Sequence, residues 1–121
     1  MRNYKNIKAY QTADKLVLAV YEATKRFPKE EVYGLTSQLR RAVVSIPTNI
    51  AEGASRQHEK DYVHFLYIAR GSAAEVEYLL DLALKLGYLT DEVHEKLHVM
   101  IDEVGKMLVS LIRVIKSSLG S

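Results

Sequence analysis

The chain has 121 residues, 48% of them hydrophobic and 26% charged, with no Cys, no Trp, two Pro and a formal net charge of +2. That is the length and composition of one globular domain, 1–121, and the absence of cysteine excludes a disulfide scaffold, thiolate catalysis and any Cys-ligated zinc or iron–sulfur site. No run approaches the roughly 18–20 apolar residues of a membrane helix, and the opening MRNYKNIKAY has no signal-peptide core, so the expectation is a soluble cytoplasmic protein.

Helical periodicity dominates. Ala13, Leu16, Val17, Val20, Tyr21, Thr24 and Phe27 recur at three- and four-residue steps, which predicts a first amphipathic helix over 8–27. Pro28 ends it by pushing the preceding residue out of the α region. Leu35, Leu39, Ala42, Val43, Ile46 and Ile50 mark a second helix, 35–53. Pro47 lies inside it and removes one backbone hydrogen bond, so a kink is expected there, with Gly53 as the stop.

The third helix reads 58–86 on Tyr62, Phe65, Leu66, Ala69, Val76, Leu79, Leu80 and Ala83. Gly71 in its middle costs up to about 1 kcal/mol against Ala, which points to a neighbouring backbone in close approach. Gly87 closes the helix. Thr90 then reads as an N-cap, with Asp91 and Glu92 on the positive end of the following dipole. The fourth helix, 91–117, carries Val93, Leu97, Met100, Ile101, Val104, Leu108, Leu111 and Ile115, and Gly120 lies beyond it. Strand and hairpin signals are absent. Four such helices joined by short loops predict an all-α, antiparallel up-down-up-down four-helix bundle.

Charge is uneven along this frame. Residues 1–70 carry 12 Lys/Arg against 7 Asp/Glu, residues 71–104 carry 2 against 8, and residues 105–121 carry 3 against none. Such asymmetry suits a polyanion on one face, contact with further copies of the chain, or simply solvated helix surfaces.

Several constellations invite chemistry. His94-Glu95-Lys96-Leu97-His98 is a literal H-E-x-x-H, which on a helix places two imidazoles on one face for zinc and a glutamate for water. The Gly and third His that extend the motif are replaced by Ile101 and Val104, so two boundary histidines on a solvated flank are the expected reading and no metal is expected. A di-iron bundle needs two inward Glu-x-x-His motifs and two more glutamates. The chain offers Glu95–His98, the pairs Asp61–His64 and Asp91–His94, and only Glu22 and Glu52 on the first two helices. Ser45, Ser72 and Ser110 have no evident activating His, and no Gly-rich phosphate loop occurs. No catalytic residue, cofactor or small-molecule substrate is expected.

The remaining dense stretch is Tyr33 to Gly53, with Arg40, Arg41, Asn49 and Glu52 on an otherwise apolar helix. One reading is an inter-helix polar network of Arg41, Asn49, Glu52, Arg70 and Glu75, with Arg41 level with Gly71 in an antiparallel hairpin and so within reach of Glu75. The other is a phosphate-binding basic surface of Lys5, Lys8, Arg40, Arg56 and Lys60.

Here a resemblance becomes specific. Phe27-Pro28, Glu31-Val32-Tyr33-Gly34-Leu35, Gln38-Leu39-Arg40-Arg41-Ala42, Ser45-Ile46-Pro47-Thr48-Asn49-Ile50-Ala51-Glu52-Gly53 and Phe65-Leu66-Tyr67-Ile68-Ala69-Arg70-Gly71-Ser72 resemble the bacterial four-helix-bundle proteins named for 23S ribosomal RNA intervening sequences. The resemblance covers nearly the whole chain and implies a four-helix protomer in a homopentamer. It is also similar in architecture to the accessory proteins of diversity-generating retroelements, basic pentamers that bind nucleic acid and partner a reverse transcriptase. His58 stands where that family has a serine N-cap to the third helix. The resulting expectation is a non-enzymatic oligomer that binds RNA, DNA or a nucleic-acid-processing protein. A purely structural assembly is the alternative, and a metal hydrolase built on His94 and His98 the remote one.

Overall fold

In the computed structural model, which describes residues 2–120, four α-helices follow one another: α1 Lys8–Thr24, α2 Leu35–Ala54, α3 Glu59–Lys85 and α4 Asp91–Gly120. Positions 1 and 121 of the expected 1–121 domain lie outside the described residues. Short 3-10 turns at Tyr4–Asn6 and Lys29–Glu31 are the only other regular elements among them, and no strand occurs there. Packing joins α1 to α2, α2 to α3, α3 to α4 and α4 back to α1. The four form an antiparallel ring around one core, with α1 and α3 on one diagonal and α2 and α4 on the other.

The apolar stripes meet on the axis of this ring. Leu16 and Val20 of α1, Leu39, Val43, Ile46 and Ile50 of α2, Leu66 and Val76 of α3, and Val104 and Leu108 of α4 are fully buried. Each aliphatic side chain taken out of water contributes about 1.5–3 kcal/mol, so the stripes, rather than helix propensity, hold the helices in place.

Several helix ends follow from identifiable caps. The Tyr88 amide bonds Ala83 C=O at 2.9 Å and the Gly87 amide bonds Leu84 C=O at 3.0 Å, with Gly87 at φ +80°. This paired closure needs a left-handed residue, which only glycine adopts freely. Thr90 Oγ1 accepts the Val93 amide at 3.1 Å and caps α4. His58 has extended backbone and makes no side-chain cap, and α3 begins one residue after it at Glu59. The N-terminus of α2 is capped from outside its own turn, because Glu31 Oε1 accepts the Leu35 amide at 3.0 Å. The same carboxylate's Oε2 accepts the Tyr88 hydroxyl at 3.0 Å, so one side chain ties the α1–α2 linker, the start of α2 and the α3–α4 turn together.

Other ends differ from the sequence-based expectation, each for a local reason. α1 ends at Thr24, three residues before Phe27. The Thr24 hydroxyl donates back to Val20 C=O at 2.8 Å, and Phe27 turns into the core against Tyr88, ring centroids 5.5 Å apart. α2 runs through Gly53 to Ala54, so Gly53 is not a stop. A Cβ there would lie 2.8 Å from Phe65 Cβ and 3.2 Å from Tyr62 C=O, which makes Gly53 a point of close approach between α2 and α3. Gly71, expected to serve that purpose, is exposed, and a Cβ on it would meet nothing within 4 Å. α4 continues to Gly120 instead of stopping before it.

Pro47 is buried within α2. The residues that follow it bond backwards: Thr48 Oγ1 donates to Val44 C=O at 2.7 Å and Asn49 Nδ2 to Ser45 C=O at 2.8 Å. Side chains thereby engage carbonyls beside the gap in the backbone ladder that a proline leaves.

Candidate nucleic-acid interface

Because the helices alternate in direction, segments distant in sequence share an end of the bundle. The N-terminal segment, the α2–α3 turn and the end of α4 lie together. Arg2 fixes this arrangement. Its Nη1 donates to Ala54 C=O at 3.3 Å and to Arg56 C=O at 3.0 Å, its guanidinium pairs with Glu59, and its Cζ stands 4.5 Å from the Tyr62 ring centroid. The carbonyls at the end of α2 thus receive a cation, which the helix dipole favours.

Four of the five expected phosphate contacts gather around this point. Lys5, Lys8 and Lys60 are exposed and enter no ion pair among the described residues. Arg56 is exposed too, with its Cζ 4.6 Å from the Phe65 ring centroid, which supports the side chain while leaving its edge open. Arg40, the fifth, lies elsewhere and has another task. Its Nε donates to Thr24 Oγ1 at 2.8 Å, its Nη2 to Tyr21 C=O at 3.3 Å, and its Cζ sits 4.5 Å from the Tyr21 ring centroid. Arg40 braces α2 to the last turn of α1, about four turns of α2 away from the basic end.

The expected polar network forms differently. Arg41, Glu52 and Arg70 are exposed and make no ion pair among the described residues. Glu75 accepts from Gln38 Nε2 at 3.5 Å, not from Arg41. Asn49 donates to Ser45 Oγ at 2.9 Å, and Ser72 Oγ donates to the same oxygen at 2.8 Å. The α3-facing flank of α2 is therefore held by Gln38, Ser45 and Asn49, short neutral groups that fit between closely packed helices, while Arg41 extends into water.

The histidine motif is likewise engaged. His94 Nε2 lies 2.8 Å from Asp81 Oδ1 across the α3–α4 seam, and the His94 and His98 rings stack with centroids 5.9 Å apart. No group of three or more His, Asp or Glu side chains arranged to hold one metal ion occurs among the described residues. None of their helices is long and apolar enough to cross a membrane.

Sequence reasoning missed three cations of the same end or its flank: Arg2, Arg113 and Lys116. Arg113 and Lys116 lie in the last turns of α4, in the segment that carries three basic residues and no acidic one. Combining that charge with antiparallel topology places them along α3 at Tyr67 and Arg70.

The relatives agree with this architecture. The model of the 23S rRNA-intervening sequence protein family matches residues 5–110. A crystal structure of a protein with unknown function from the S23 ribosomal protein family of Bacteroides thetaiotaomicron superposes with a TM-score of 0.80 at 25% identity, covering 87% of this chain and 95% of that one. No curated protein matches significantly. With the family model matched over most of its length, the chain belongs to the 23S rRNA-intervening sequence protein family.

Proposed function

We propose that this protein is a non-enzymatic, cytoplasmic homopentamer that binds nucleic acid through the basic end of each bundle. The observation that carries this reading is the convergence of Lys5, Lys8, Arg56 and Lys60, from three separate segments, around Arg2. Exposed lysines without carboxylate partners keep their charge for a phosphate backbone, and releasing counterions from that backbone drives association. Arg56 adds a planar guanidinium suited to phosphate.

Pentameric assembly is supported by the family resemblance and by the outer face of α2 and α3. There Val44 and Ile68 are 37% and 40% exposed beside the open helix surface at Gly71. Apolar side chains next to a flat helix surface favour a second helix laid against them.

Binding to mixed RNA and DNA at rising salt tests the reading. Association is expected at about 50 mM salt and should weaken steeply by about 200 mM. Lys5→Glu with Lys8→Glu should weaken it across all sequences and lower the salt slope by about one per lysine. No binding at about 50 mM would sink the nucleic-acid reading and leave a structural assembly, whose mass light scattering measures.

A further inference from the structure

The outer seam of α3 and α4 is an open groove. Arg70 and Arg113 line it from opposite helices, and neither side chain makes a hydrogen bond or ion pair among the described residues. Toward the basic end the groove continues past Tyr67 and Lys116. Lys116 Nζ donates to the Tyr67 hydroxyl at 3.2 Å and lies 5.7 Å from its ring centroid, and Tyr67 is 41% exposed. Lys60 is seven residues before Tyr67, two turns along the same face of α3, so the groove opens onto the basic end. At its other extremity stand Glu77 and Asp102, with Lys106 Nζ held 3.2 Å from Asp102 Oδ2.

Like charges brought to one seam favour an anion between them, and no carboxylate pairs with either guanidinium among the described residues. Gly105, on the α4 wall, adds a second observation. A Cβ there would meet nothing within 4 Å, so no intramolecular neighbour accounts for a helical glycine that costs about 1 kcal/mol.

We propose that this groove carries a single strand of nucleic acid, with Arg70 and Arg113 holding its phosphates and Tyr67 stacking a base. The proposal rests on the nucleic-acid reading above and assigns it a place and a form. Packed helix axes stand about 8–10 Å apart, a seam that admits one chain, while a duplex presents two phosphate rows and keeps its bases stacked inside. An aromatic platform within a cationic track is the arrangement that binds unpaired bases. An acidic amphipathic helix would also meet the arginines, but besides Tyr67 the groove walls offer it only Val109 as an exposed large apolar side chain. Glu77 and Asp102 repel phosphate at the far extremity, so the strand leaves toward Lys60.

Fluorescence anisotropy of the full chain with a short single-stranded oligonucleotide and with its duplex, at about 50 mM salt, tests the assignment. Arg70→Glu with Arg113→Glu should weaken strand binding at least about tenfold and duplex binding far less. Tyr67→Ala should cost about five- to a hundredfold for the strand, the usual range for a lost stacking platform, and Tyr67→Phe should stay within about twofold. All these positions are exposed, so unfolding curves should match the parent's. Strand binding unchanged in the groove variants but lost in Lys5→Glu with Lys8→Glu overturns the groove and leaves the basic end intact. A parent protein that binds neither form overturns both readings. Capture of an acidic helical peptide through Arg70 and Arg113, without strand binding, overturns the nucleic-acid assignment of the groove.

Discussion

Thr36 carries the one buried side-chain polar atom without a hydrogen-bond partner among the described residues: it is 5% exposed and its Oγ1 is unpaired. A buried hydroxyl that gives up water without a replacement partner costs about 1–3 kcal/mol. Thr36→Val keeps the branched shape and removes the orphan, and is expected to raise stability by about 1 kcal/mol in urea or thermal unfolding; a loss of stability would show that the hydroxyl has a partner. Arg40 makes the opposite point. By residue type and neighbourhood it reads as a phosphate contact, yet its guanidinium is engaged at Thr24 Oγ1 and Tyr21 C=O. Arginine's fork fits carboxylate, phosphate and carbonyl alike, so residue type alone does not select among them. Lys5, Lys8 and Lys60 differ from Arg40 in that their side chains enter no hydrogen bond or ion pair among the described residues.

Between elements, the α2–α3 contact turns on which glycine is used. Gly53→Ala places a methyl 2.8 Å from Phe65 Cβ and 3.0 Å from Tyr62 Cδ1, and is expected to destabilise by about 1–3 kcal/mol, as overpacking does. Gly71→Ala meets nothing in the protomer and should stabilise the isolated fold by about 0.5–1 kcal/mol through helix propensity. Paired denaturation curves for the two variants check both signs, and equal effects would contradict the assigned approach. Composition could not separate these glycines, since both lie within helices. The distinction depends on how α2 and α3 are set against each other, which puts Gly53 opposite Tyr62 and Phe65 and Gly71 toward solvent. The stripes of α2 were readable in full, because Leu35, Leu39, Ala42, Val43, Ile46 and Ile50 are all buried. The end of α1 was not, because it is set by a hydroxyl back-bond and by Arg40 arriving from another helix.

At the scale of the molecule, tyrosines couple the fold to alkaline pH. Burial pushes the Tyr62 phenol above its ordinary value of 10.0, with Arg2 partly opposing it. The hydrogen bond to Glu31, then burial, does the same for Tyr88. In both, the folded state holds the proton more tightly than the unfolded chain. Their contribution is therefore complete below about pH 10 and is lost as pH rises through the raised folded values. Stability is expected to fall from about pH 10 upward, and the fall should be shallower in Tyr62→Phe. An unchanged slope in that variant would assign the loss to other groups.

The amino-acid pattern alone determined the fold class. Helical periodicity, the Thr90 cap and the Gly87 closure are local properties, set by side chains within a few residues of one another. It also determined that charge is segregated along the chain, with residues 71–104 acidic and the flanking stretches basic. Where those charges meet was decided by tertiary packing. Antiparallel helices bring Arg2, Arg56, Lys60 and Lys116 to one end and face Arg70 to Arg113 across a groove. Such neighbours lie dozens of residues apart in sequence, and only the burial of the four apolar stripes against one another fixes which cations share a surface.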